Sequence, residues 1–123
     1  MIGLSEVVRR YLSALNTGTV DAAVACVSEG FVNEHTSRGG VTRRGRAAYA
    51  AALPGFLADF AGLRYEPECF IEDGARVAVP YVMTFRPSAR VRGVFVFTLD
   101  PDGLIAHRVD YWDSAAVRPQ DRA

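Results

Sequence analysis

The spacing of hydrophobic positions changes half-way along the chain. Val7, Val8, Tyr11, Leu12 and Leu15 recur at helical spacing, with Ser5 as N-cap and Asn16-Thr17-Gly18 as the stop. Thr19 opens a short second helix with Val20, Ala23, Val24 and Val27 inward, and Gly30 reads as its C-terminal stop. Residues 31–35 form a short extended segment and residues 37–40 a loop. A third helix starts near Gly45 and runs through Ala47 to Leu53. Pro54-Gly55 predicts a break or kink there, after which Phe56, Leu57 and Phe60 make a last amphipathic turn.

The second half alternates with period two. Residues 65–72, 76–86, 90–99 and 104–112 read as four strands. Asp73-Gly74, Pro87-Ser88 and Asp100-Pro101-Asp102-Gly103 are the joints, and such short turns predict an antiparallel meander. Helices first and strands later predict an α+β domain, three N-terminal helices packed on one face of a curved antiparallel sheet. Its 123 residues suit one domain, 1–123, whose polar tail from Ala115 is expected to fray.

The last strand conflicts with burial. Alternation places Arg108, Asp110 and Trp112 on one face and His107, Val109, Tyr111 and Asp113 on the other. A charge on a covered strand must be paired, reached by a pocket, or lie at a frayed end.

Composition narrows the chemistry. Acidic and basic residues balance at 14 each, so nothing draws the chain to nucleic acid or an anionic membrane surface. Every basic residue is Arg, which removes lysine Schiff-base and lysine general-base chemistry. Arg43, Arg44 and Arg46 stand near a helix start without interleaved aromatics, which argues against a nucleic-acid site. Cys26 and Cys69 read as two buried free thiols, and with His35 and His107 they show no metal-ligand spacing. No metal and no cofactor are expected. With no signal peptide and no run of membrane-spanning length, a soluble cytoplasmic protein is expected.

Three helices, a short strand after the second, and a meander ending in Asp110-Tyr111-Trp112-Asp113 resemble the NTF2-like, or SnoaL-like, superfamily. Gly45 opening the third helix, the Asp73-Gly74 turn and Asp102-Gly103 carry the likeness, which extends from about Val7 to Asp113. It implies a cystatin-like cone: a bent sheet wrapped on a long third helix, leaving an apolar pocket open at one end. Steroid isomerases, polyketide cyclases, limonene-type epoxide hydrolases and non-catalytic binding or assembly domains share this fold, so function must rest on particular side chains.

The resemblance makes Asp110 the first candidate. It matches the pocket-facing first Asp of a similar strand in the epoxide hydrolases, part of an Asp-Arg-Asp triad. An apolar pocket raises a carboxylate's pKa towards the range useful for proton transfer. The competing reading is a structural ion pair with Arg108 or Arg86. Arg86 resembles the triad arginine, but Ser88 stands where the hydrolases carry their other Asp. Phe31-Val32-Asn33 resembles a Tyr-X-Asn segment that holds the hydrolytic water: Asn33 is kept and the hydroxyl is lost at Phe31. His35 shares the parity of Asn33 and is the second proton-transfer candidate, against a solvated loop histidine beside Glu34. His107 falls on the opposite face from Asp110, as an interface or surface residue. Tyr81, Phe56 and Trp112 are candidate pocket walls; Arg86, Arg108 and Tyr81 are candidate donors to an oxyanion.

Two classes of function remain open. One is a proton-transfer isomerase or cyclase acting on an apolar carbonyl or polycyclic substrate. The other is a non-catalytic domain that binds an apolar small molecule or assembles through its sheet. The run from Gly93 to Phe97 is apolar on both faces, which predicts a homodimer through the sheet.

Overall fold

The computed structural model describes residues 3–37 and 40–112. Part of the expected 37–40 loop, Asp113 and the tail lie outside the described residues. Three helices, α1 (Leu4–Thr17), α2 (Val20–Val24) and α3 (Arg46–Asp59), accompany seven strands. The strands are β1 (Val27–His35), β2 (Arg43–Arg44), β3 (Arg64–Pro67), β4 (Ile71–Asp73), β5 (Arg76–Phe85), β6 (Ala89–Leu99) and β7 (Ile105–Trp112). They form one sheet in the order β2-β1-β7-β6-β5-β3, with β4 also paired to β5. The expected α+β architecture is present.

The strands β5 and β6 alternate along most of their length. Val77, Val79, Tyr81, Met83 and Phe85 of β5 and Val91, Phe95, Phe97 and Leu99 of β6 are buried. Val7, Val8, Tyr11, Leu12 and Leu15 of α1 meet them in the same core. Each inward side chain removed from water contributes about 1.5–3 kcal/mol, so this periodicity sets the register of the whole sheet.

Five local readings are corrected. Gly30 does not stop α2; it lies inside β1, which begins at Val27 and runs parallel to β7. That non-local pairing extends the expected short segment to nine residues. Pro54 does not break α3, which continues to Asp59. Pro54 is exposed, so its ring projects from the solvent side of the helix. The strand expected over residues 65–72 is two, β3 and β4, each pairing with a different part of β5. Ser5 does not cap α1; Gly3 holds the N-cap position and the Ser5 hydroxyl bonds Glu72. The cysteines are free but not both buried: Cys26 is half-buried and Cys69 exposed.

Candidate active site

The site is built on β7. Its inward face carries Arg108 and Asp110, each only 2% exposed. Parallel pairing sets Asn33 of β1 opposite Arg108 and His35 opposite Asp110. On the other side, Phe97 and Phe95 of β6 stand opposite Arg108 and Asp110. Four polar residues thus share one patch of an otherwise apolar interior.

Tyr81 reaches this patch across an intervening strand. Its partner on β6 is Gly93, and a Cβ at Gly93 would lie 2.5 Å from the Tyr81 hydroxyl. The missing side chain lets the phenol cross β6, stacked on Phe95, and donate a 2.5 Å hydrogen bond to Asp110 Oδ1.

Arg108 holds the other side of the carboxylate. Its Nη2 is 3.5 Å from Asp110 Oδ2 and also donates to the Tyr65 hydroxyl at 3.5 Å. Nη1 donates to the Tyr11 hydroxyl at 3.1 Å, and Tyr11 in turn contacts the Tyr49 hydroxyl. The guanidinium lies 4.7 Å from the Phe95 ring centroid, a cation–π contact. Burial alone would depress Arg108, but the surrounding Tyr11, Tyr65 and Asp110 oxygens more than offset it, and the guanidinium stays charged. Burial raises Tyr49, Tyr65 and Tyr81 far above neutrality, so all three are hydroxyl donors at physiological pH.

Asp110 is raised above the usual carboxylate value by burial, against the opposing effects of Arg108 and the Tyr81 hydrogen bond. His35 is pushed down to about 4 by burial and by the charges of Arg108 and Arg43. Its Nδ1 lies 3.7 Å from Asp110 Oδ2. At neutral pH this contact joins a neutral imidazole to a carboxyl group and is not an ion pair. The arrangement suits proton transfer: one carboxyl with a raised pKa, neutral hydroxyl donors, and a fixed positive charge for a developing negative one.

Among the described residues, buried atoms without a hydrogen-bond partner include Asn33 Oδ1 and Arg108 Nε in this patch and Trp112 Nε1 farther along the same strand face. Buried polar groups are nearly always paired, so each of these atoms has hydrogen-bonding capacity left over.

The remaining candidates sit as follows. Trp112 shares the Asp110 face and meets Phe60 edge-on; Phe60 also packs on Phe56 and Phe85. Phe31 is fully buried and edge-on to Tyr49. Arg86 does not meet Asp110: its Nη2 donates to the Asp59 carbonyl at the end of α3. It follows the inward-facing Phe85, the last residue of β5, and its backbone takes a left-handed φ of 37°. Ser88 is exposed in the following turn. His107 lies on the opposite face, 3.1 Å from Glu34 Oε1. The arginine that meets Asp110 is therefore Arg108. Sequence reasoning missed the hydroxyls of Tyr11 and Tyr65, whose only mark was a tyrosine at an inward position of an apolar stripe. Among the described residues, no three His, Cys, Asp or Glu side chains are placed to hold a metal ion. No helix there is long and apolar enough to cross a membrane.

The SnoaL-like domain family matches residues 8–108. The chain belongs to that family. Among solved structures, this SnoaL-like chain is similar to SalBIII, an epoxide hydrolase/cyclase-like enzyme with a role in pyran ring formation in the polyether salinomycin. Identity is 28%, coverage 93% of each chain and the TM-score 0.79. An NTF2-like protein of unknown function from Burkholderia pseudomallei matches with 22% identity, 94% of each chain and a TM-score of 0.80. A protein from Kribbella flavida, provisionally called a ketosteroid isomerase, matches at 23% identity over 94% of this chain and 82% of its own, with a TM-score of 0.76. These last two show the fold alone. A search of the curated proteins finds no match. The fold is thus the NTF2-like, cystatin-like architecture expected from the sequence.

Proposed function

We propose that this SnoaL-like protein is a proton-transfer enzyme, an isomerase or cyclase, acting on an apolar carbonyl or polycyclic substrate held in the mouth of the cone. Asp110 is its acid–base group. The observation that supports this best is the Asp110 carboxyl itself, buried with a raised pKa between the Tyr81 hydroxyl and Arg108. As carboxylate it takes a proton from carbon or from a hydroxyl; as acid it returns the proton elsewhere on the substrate. Arg108 and the Tyr65 hydroxyl offset the negative charge that develops on the substrate oxygen, while the Tyr81 hydroxyl holds Asp110. Phe56, Phe60 and Trp112 supply apolar walls, and Asn33 a polar contact. The likeness to SalBIII supports ring closure as the form of the reaction. The test is solvent deuterium incorporation next to the carbonyl of a steroid or cyclic ketone, followed by NMR. Exchange that Asp110→Asn abolishes supports the reading; exchange equal in both proteins sinks it.

A non-catalytic ligand-binding role draws on a different observation, the unpartnered Asn33 Oδ1, Arg108 Nε and Trp112 Nε1. A ligand that raises the melting temperature with no exchange at any position favours that reading.

The outer sheet face supports a homodimer. Val94 and Tyr111 are 36% and 49% exposed on adjacent strands and stand opposite one another. Light scattering at micromolar concentration should give a dimer that a Val94→Glu, Tyr111→Glu double variant converts to monomer. A wild-type monomer counts against it.

A further inference from the structure

We infer that Asn33 is a positioning residue for His35: its amide holds the imidazole in the neutral tautomer protonated on Nδ1, the nitrogen that faces Asp110. The two side chains are two residues apart on β1 and so share one face. Asn33 Nδ2 lies 3.4 Å from His35 Nε2, and His35 Nδ1 lies 3.7 Å from Asp110 Oδ2. An amide nitrogen carries only donors, so the Nε2 it approaches must present its lone pair. That leaves the single imidazole proton on Nδ1.

When Asp110 is ionised, its side favours the same tautomer independently. With the Asn33 amide reversed, Oδ1 would need a proton on Nε2. The bare Nδ1 lone pair would then face an oxygen of the Asp110 carboxylate, acceptor against acceptor. One orientation of the amide satisfies both neighbours and the other satisfies only one. A doubly protonated ring is disfavoured first by burial, then by the cationic Arg108 on β7 and Arg43 on β2. Asn33 is itself buried, so its amide is not free to turn to water.

The consequence concerns the division of labour. His35 turns an N–H towards Asp110 and does not compete with it as a base on that side. It favours the carboxylate form of Asp110 while remaining neutral. Which ring nitrogen carries the proton is set by the hydrogen bond the other one makes, so the Nδ1 form is imposed by neighbours.

Long-range ¹⁵N–¹H correlation NMR of the full ¹⁵N-labelled chain at neutral pH reads the tautomer directly. There are two histidines, and His107→Gln assigns the pair. The expected wild-type pattern is a protonated Nδ1 and an unprotonated Nε2 on His35. Asn33→Leu should shift the ratio several-fold towards Nε2–H. Asn33→Asp, nearly isosteric, places an acceptor at Nε2; it should move the proton there and raise the pH at which His35 titrates. A wild-type Nε2–H tautomer, or a ratio unchanged in Asn33→Asp, overturns the inference. If Asn33→Leu does not fold, the wild-type and Asn33→Asp spectra decide. The readout is a tautomer and not turnover, so it stands apart from whether Asp110 moves a proton.

Discussion

Asp110→Asn separates two physical accounts of the same buried pair. If the contact between Arg108 and Asp110 dominated, removing one charge would strand the other. Breaking a buried pair in that way commonly costs about 3–5 kcal/mol. The geometry argues for less. Nη2 and Oδ2 are 3.5 Å apart, longer than a good charge-assisted hydrogen bond. Arg108 keeps its bond to Tyr11 and its place over Phe95 whichever residue stands at 110. Burial raises the Asp110 pKa despite Arg108 and Tyr81, so the fold prefers a neutral group there. Asparagine is that neutral group: its Oδ1 still accepts from Tyr81, while its amide nitrogen meets Arg108 as donor against donor. One poorly placed buried polar group costs about 1–3 kcal/mol, and relief of the buried charge offsets it. The expected net change at neutral pH is within about 2 kcal/mol of zero, from that difference. Activity per folded molecule should fall by about 10²–10⁴, the range for losing a positioned proton-transfer group. Urea denaturation followed by circular dichroism gives the first quantity and deuterium exchange the second.

The pH dependence gives the sign. The folded carboxyl has the higher pKa, so the folded chain binds more protons between the unfolded value and its own. Wild type therefore loses stability relative to Asp110→Asn as pH rises through that window. A loss above about 3 kcal/mol at neutral pH, with exchange retained within about tenfold, would show that Asp110 is a structural partner of Arg108.

His35 acts with the opposite sign. Its pKa falls from 6.5 to about 4 on folding, so the unfolded chain takes up the proton first. The stabilisation is complete above about 6.5 and is lost as pH falls to about 4, up to about 3 kcal/mol. His35→Gln should be less acid-sensitive by that amount in urea titrations at several pH values; equal sensitivity would refute the assignment. Gly93→Ala should displace the Tyr81 phenol from Asp110 and crowd the Tyr111 carbonyl. A loss of about 1–3 kcal/mol is expected from such overpacking, together with reduced exchange activity; an unchanged protein would mean that Tyr81 reaches Asp110 by another path. Phe31 lacks a hydroxyl and Ser88 is an exposed turn residue, so limonene-type epoxides should give no appreciable diol; robust diol formation abolished by Asp110→Asn would restore hydrolysis.

Periodicity alone made the three helices, the long strands and the shared face of Arg108, Asp110 and Trp112 legible, because each depends only on neighbours along the chain; the resemblance implied that this face is the inward one. It also put His107 on the far face, where it meets Glu34. Boundaries set by partners were not legible. Gly30 looked like a stop until β7 paired with β1, and Pro54 like a break until α3 presented it to solvent. Choosing between Arg86 and Arg108 also required the fold, since only the packing of α3 beside the end of β5 brings the Asp59 carbonyl to Arg86. The tyrosines around Arg108 come from α1, α3 and β3, elements whose spacing says nothing about one another. Gly93 is the plainest case. In the sequence it is a weak point in an apolar strand; in the sheet its missing Cβ is the gap through which Tyr81 reaches Asp110, a contact between β5 and β7 that no single-strand pattern encodes.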